Sequence, residues 1–307
     1  DVIYYNYYTL QKKWASEEKI VNKNTYQILE EQIKKIKPSI IYFQNIFLLN
    51  DDFFLKIKKK FPFVKLIICW ICSPFSKKQH KIIRNSDLIF TCNNGFLNSL
   101  INLNKKTIKI NHAFDERNFF INIDKTIDIS FNGSIVCNKN FHLKRLETIY
   151  YLKKKLAKFD IYSKIYYKFN LLNSLNAGRL IKYHLLKKKI KQPQYGKEYF
   201  LQLHKSKICF NSHLDIGDFS GNMRLFEGTG TGCLMITNHT KDLKNFFNDD
   251  ELVSYSSKED ALEKIKYFLD NPKELLEISE KGRVKTHSKH TYKLRVTKIN
   301  EILNKHI

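Results

Sequence analysis

Short apolar runs alternate with stretches whose apolar residues recur every three or four positions, from residue 16 almost to the end of the chain. Tyr26, Leu29, Ile33 and Ile36 form one such stripe and predict a helix over 16–37; Glu17 and Glu18 suit its positive end and Pro38 stops it. Apolar runs at 40–43, 65–72, 86–91 and 107–110 read as strands, with helices between them at 51–60 and through Leu97, Leu100 and Ile101. Strands that are apolar on both faces and separated by helices imply a parallel sheet covered on both sides.

The polar, irregular stretch 111–126 interrupts this rhythm, which then resumes. Strands are predicted at 127–131, 159–162, 208–211, 233–237 and 252–255. Helices are predicted at 141–156, 198–206, 222–231, 274–281 and 291–307. One more, capped by Ser257, carries Ala261, Leu262, Ile265, Phe268 and Leu269 on its inner face. Gly282 is expected to close the helix at 274–281. The Lys-rich stretch 166–194 shows no clear period. The organisation expected is α/β: an N-terminal Rossmann-like domain over 1–112, a crossing segment over 113–126 and a C-terminal Rossmann-like domain over 127–307.

Composition narrows the class. The 307 residues are 43% hydrophobic and 27% charged, as in globular proteins. The longest apolar run, Leu66 to Cys72, is far short of the ~20 residues of a spanning helix. The chain opens at Asp1 without a signal-peptide pattern and is expected to be a fragment. Its net charge of +24 would attract phosphate, nucleic acid or an anionic membrane. Lys far outnumbers the seven Arg, and Asn, Ile, Phe and Tyr are plentiful, so we attribute most of the excess to an AT-rich coding bias. The arginines, with their bidentate fork, carry more information. Of six Cys, Cys69 and Cys72 have the spacing of a redox or zinc pair, but within a strand pattern and with no second pair. A structural role and a reducing cytoplasm are expected.

The segment richest in chemistry runs from Ser220 to Gly232. Arg224 and Glu227, three apart, share a helix face in the first turns, where free N–H groups and the dipole favour an anion. Arg224 suits a phosphate, and Glu227 can accept two hydroxyls, as a ribose diol offers them. Gly228, Gly230 and Gly232 each cost about 1 kcal/mol inside a helix, which points to close approach by a ligand or another backbone. Gly133 and Ser134 follow a buried strand, where open parallel sheets bind ligands. Neither G-x-G-x-x-G nor the P-loop pattern is present.

The run Asn222-Met223-Arg224-Leu225-Phe226-Glu227, the Gly/Thr stretch, Gly232-Cys233, the strand ending at Thr237 and the late His290-Thr291-Tyr292 resemble group 1 glycosyltransferases, nearest to the spore-maturation-protein-like set. Asn111 to Asp115 resembles the crossing segment of that fold. The resemblance implies a GT-B fold: two Rossmann-like domains with parallel sheets facing across a cleft, donor on the C-terminal side and acceptor on the N-terminal side. It implies a UDP- or GDP-linked sugar held by Gly133, Ser134, Asn222, Met223, Arg224, Leu225 and Glu227, with Glu227 on the ribose and Arg224 on the diphosphate. It implies no bound metal and no cofactor.

Two departures stand out. The Glu that many relatives carry eight residues before the ribose Glu is Phe219 here, beside Asp218, and the first strand of the N-terminal domain is expected to lie outside this chain. An inverting reaction needs a base for the acceptor hydroxyl; His112, His213, Asp215 and Asp218 are the candidates. The expected partners are a nucleotide sugar, a surface-glycan or lipid-linked acceptor and an anionic membrane touched peripherally at its cytoplasmic face. No nucleic acid is expected, because the Lys are dispersed and no binding motif is present. A nucleotide-sugar epimerase, a basic nucleic-acid-binding protein and a non-catalytic remnant of the fold are the alternatives.

Overall fold

The computed structural model describes residues 8–120, 123–137, 140–167 and 177–306. Two compact units emerge. The first takes in the chain up to Thr91, Phe96–Lys109 and the residues from Leu303 on; the second takes in Cys92–Gly95 and Ile110–Ile302.

The first unit contains α1 (Tyr8–Glu17), α2 (Thr25–Ile36), β1 (Ile40–Phe43), α3 (Asp51–Lys60), β2 (Leu66–Trp70), α4 (His80–Asn85), β3 (Leu88–Thr91), most of α5 (Asn94–Leu103) and β4 (Thr107–Lys109). The strands pair in parallel in the order β1-β2-β3-β4. Leu66 to Cys69 and all of β3 are buried, the pattern of central strands in a covered parallel sheet. The range 16–37, predicted as one helix, holds only the last two residues of α1 and then all of α2. Lys19 and Asn22 adopt positive φ, and α2 restarts at Asn24, whose side chain accepts the Tyr26 and Gln27 N–H groups while Gln27 bonds back to Asn24 N. This capping box sets the start of the helix at Asn24, and the whole apolar stripe from Tyr26 to Ile36 lies within α2. The short α4, which buries only Ile82 and Ile83, has no counterpart in the sequence reading. Cys69 is a structural thiol: buried, bonded by the Ser86 hydroxyl at 3.2 Å and pushed up to about 12 by burial.

The second unit continues with β5 (Ile127–Asn132), β6 (Ile135–Val136), α6 (Leu143–Lys155), β7 (Phe159–Tyr162), β8 (Ile165–Tyr166), α7 (Ala177–Lys187), α8 (Gly196–His204), β9 (Ser206–Asn211), α9 (Arg224–Gly230), β10 (Leu234–Asn238), β11 (Val253–Tyr255), α10 (Lys258–Asp270), α11 (Pro272–Lys289) and α12 (Tyr292–Asn304). Five strands pair in parallel in the order β11-β10-β9-β5-β7, and β6 pairs with β8. Phe131, Phe159, Phe210 and Leu234 pack beneath Leu146, Ile149 and Leu152 of α6 and Ala261 and Ile265 of α10. A second cluster gathers Leu225 and Phe226 of α9 with Phe114, Met235, Phe246 and Phe247.

Two elements differ from expectation. The stretch 166–194 yields α7 and the end of β8. Gly282 does not close a helix, because α11 runs on to Lys289; a Cβ at 282 would strike the Glu251 carbonyl, so the glycine serves packing. Among the described residues no helix is long and apolar enough to cross a membrane.

Candidate active site

The strand order reverses between β5 and β9. The chain leaves β5 toward β7 on one side, and leaves β9 toward β10 on the other. Loops that part at such a point open a crevice at the carboxyl edge of a parallel sheet. Gly133 and Ser134 follow β5, and Ser212 to Asp218 follow β9.

Arg224, from the start of α9, lies across Gly133. A Cβ built at 133 falls 3.1 Å from Arg224 Cζ and nearer still to Nη2, and φ there is +150°. Another residue here would be strained in its backbone and would displace the guanidinium. Arg224 Nη1 donates to Asn211 Oδ1 at 2.9 Å, its guanidinium carbon sits 5.2 Å from the Phe131 ring centroid, and its buried Nε has no partner. Asn211, at the end of β9, also accepts from Asn222 Nδ2 at 2.8 Å and donates to Thr237 Oγ1 at 3.0 Å. It therefore fixes Arg224 in a polar network of buried groups.

Arg145, on α6, is a second buried guanidinium. It donates to the Ser212 carbonyl from Nε (3.1 Å) and Nη2 (2.5 Å), and to the Ser134 carbonyl from Nη1 (3.0 Å), tying the two divergent loops together. Burial, helped by the Arg224 charge, brings it down to about 9. Among the described residues no carboxylate pairs with either guanidinium. Two close cations, neither in an ion pair, make a site that favours an anion, although Asp215 and Glu227 act on them electrostatically.

Glu227, one turn along α9, forms no ion pair with Arg224. Its Oε2 accepts from the Tyr199 hydroxyl of α8 at 2.6 Å, and no described group bonds Oε1. Burial raises its pKa, while the Tyr199 bond and then Arg224 oppose that rise. The helix start offers fewer N–H groups than expected: Leu225 N donates to Asn222 Oδ1, and Phe226 and Glu227 N donate to Met223 O. The guanidinium, not the short helix, supplies the positive charge.

The remaining expected donor contacts divide. Ser134 is exposed, and its carbonyl is taken by Arg145. Met223 is exposed, Asn222 is bound into the Asn211 network, and the Leu225 side chain is buried in the core. The glycine run packs against protein: a Cβ at Gly228 would meet Met235 and Cys209, and one at Gly230 would meet the Phe114 ring. That corrects the expectation of a ligand or backbone at those positions.

The candidate bases also divide. Asp215 and Asp218 line a pocket of about 200 Å³ with Lys144, Leu214, Gly217, Asn238 and Thr240. Asp215 accepts the Lys144 N–H at 3.1 Å, and burial raises its pKa. Asp218 sits at φ 57°, a strained backbone for a non-glycine residue. His213 is buried with neither ring nitrogen bonded; burial, then Arg145 and Arg224, lower it to about 3. His112 faces a separate small cavity with Leu225 and Phe226, and burial lowers it to about 4. Neither imidazole is matched to proton abstraction near neutral pH. His290 is a structural contact, donating from Nε2 to the Phe246 carbonyl (3.0 Å) while Nδ1 accepts from Arg295 (3.0 Å). Sequence reasoning missed Arg145, Asn211 and Tyr199; the scarcity of arginine was the one available pointer to the first.

Two parallel Rossmann-like sheets, with guanidiniums at the switch point of the second, are the arrangement of GT-B glycosyltransferases. Residues 143–301 match the model of the family described as glycosyl transferase-like, and the chain belongs to that family. The fold resembles that of *Anabaena* HepE, solved with UDP and glucose, at TM-score 0.64 and 9% identity over 96% of this chain and 89% of that one. It also resembles a glycosyltransferase from Rickettsia africae at TM-score 0.60 and 15% identity, over 96% of this chain and 86% of that one. Sucrose-phosphate synthase from Thermosynechococcus elongatus aligns at TM-score 0.60 and 12% identity, over 91% of this chain and 76% of that one. No curated protein sequence matches the chain.

Proposed function

We propose that this glycosyltransferase takes its sugar from a UDP- or GDP-linked donor held in the second unit, and passes it to a surface-glycan or lipid-linked acceptor on the first. One observation carries the donor reading: the Arg224 guanidinium, without a carboxylate partner, lies over Gly133, where a Cβ would push it aside. The diphosphate would meet Arg224, with Arg145 adding its charge from behind. Glu227 Oε1 is available to the ribose diol, as Oε2 is already held. HepE, on the same fold, is solved with UDP-glucose, which supports a uracil nucleotide.

Negative charge grows on the diphosphate as the glycosidic bond breaks, so cations fixed beforehand stabilise the transition state more than the ground state. On this reading the reaction needs no bound metal. Asp215 and Asp218, which line one pocket, are the candidate bases for an acceptor hydroxyl. Membership of the spore-maturation-protein-like set and a cytoplasmic location with peripheral membrane contact belong to the same proposal. Calorimetric titration with UDP and GDP tests it: Glu227→Ala should remove binding without lowering the melting temperature of the free protein. Unchanged affinity in that variant would contradict the ribose assignment.

A further inference from the structure

Between Ile161 and Lys197 the sequence holds nine Lys or Arg and no Asp or Glu. The described part of this stretch contains α7 and the connection to α8. Ile181 (57% exposed) and Leu185 (44%), four residues apart on α7, face solvent together, and His184 and Lys188 beside them are exposed as well. Leu186 turns inward and is buried in the core, so α7 is anchored by one face and bare on the other. Tyr195, on the connection from α7 to α8, is 64% exposed, with the Lys164 ammonium 5.7 Å from its ring.

The lysines differ in how they are occupied. Lys182 pairs with Glu147 at 3.5 Å and Lys191 with Asp160 at 2.5 Å. Lys187, Lys188, Lys189 and Lys197 are exposed and pair with no carboxylate among the described residues. Lys187 lies 5.5 Å from the Tyr183 ring centroid and Lys197 5.9 Å from that of Phe120, contacts that leave their charge unneutralised. Exposed ammonium groups with no carboxylate partner, beside bare aliphatic side chains, are matched to a surface that is anionic outside and apolar just beneath.

We propose that this face of α7, with Lys187 to Lys189, docks on an anionic lipid bilayer. Ile181 and Leu185 would enter the headgroup–acyl boundary while the lysines reach lipid phosphates. A nucleic acid would satisfy the charge but leave the isoleucine and leucine in water. The docking face gives the lipid-linked-acceptor reading a place on the molecule and does not require the donor site to be correct.

Co-sedimentation with phosphatidylcholine vesicles, with and without phosphatidylglycerol, tests it. Binding should need the anionic lipid and weaken with salt. Each lysine near such a surface contributes about fivefold in partitioning, so changing Lys187, Lys188 and Lys189 together to Gln should cost about a hundredfold. Ile181→Ser with Leu185→Ser should weaken the binding that survives at high salt. Both variants should keep the parent's melting temperature and its UDP titration. Equal binding to neutral vesicles, retention of vesicle binding in both variants, or binding to RNA in place of vesicles would each overturn the proposal. A protein that binds vesicles in this way but not UDP would leave the docking face standing and remove the donor reading.

Discussion

Gly133→Ala is the sharpest perturbation of the site, because it adds one methyl group where Arg224 lies. The new Cβ would sit 3.1 Å from Arg224 Cζ and closer to Nη2, at a φ of +150°. The backbone alone costs about 1–3 kcal/mol in a region that side chains rarely adopt. The guanidinium is the end of a flexible side chain, so it should retreat by about 1 Å to ordinary van der Waals separation. That retreat stretches the 2.9 Å bond to Asn211 Oδ1 beyond hydrogen-bonding range and swings the fork away from the phosphate position. A hydrogen bond to a charged group is worth about 1.5–3 kcal/mol, so affinity for UDP or GDP should fall about 10- to 150-fold. Calorimetry on Gly133→Ala, Arg224→Ala and the double variant reads this directly. If glycine acts through the arginine, the double variant binds no worse than Arg224→Ala alone. Additive losses, or a Gly133→Ala protein that binds as the parent does, would refute the reasoning.

Two further outcomes follow from the charges. Tyr199 donates to Glu227 and so holds down a pKa that burial raises; Tyr199→Phe should move the acid limit of nucleotide binding to higher pH, and Glu227→Gln should remove that limit, both read by titrations across the acid range. His213 lies at about 3 in the folded chain against an ordinary 6.5, so the unfolded state takes up its proton first. Its contribution is therefore present above about pH 6.5 and lost as pH falls toward 3, by at most about 1.4 kcal/mol per pH unit; His213→Gln should flatten the decline of urea midpoints over that range.

Much of the fold was legible because buried parallel strands announce themselves. Leu66 to Trp70 and Leu88 to Thr91 are apolar on both faces, and both lie where the apolar runs put them. The start of α2 was written in the sequence as Asn24 and Gln27, three apart, yet Glu17 and Glu18 placed the helix start too early, while the stripe from Tyr26 to Ile36 lies wholly within α2. Gly282 misled for a related reason, since a glycine that ends a helix and one that lets a carbonyl approach look alike in sequence.

The site divides along the same physical line. Arg224, Glu227 and Gly133 could be named singly, because each side chain, or the lack of one, suits a nucleotide. What the sequence could not supply was their company. Arg224 bonds Asn211 and not Glu227, and Glu227 bonds Tyr199 from another helix. Arg145 directs its donors at two main-chain carbonyls, a role with no periodicity, from beside the apolar stripe of Leu146, Ile149 and Leu152. The glycines show the limit plainly. A glycine reports that a Cβ is excluded but not by what: at 228 and 230 the excluding groups are Met235, Cys209 and Phe114, whereas at 133 it is a cation that forms no ion pair among the described residues. The same residue type thus marks core packing in one case and a ligand-facing charge in the other, and only the identity of the neighbour separates them.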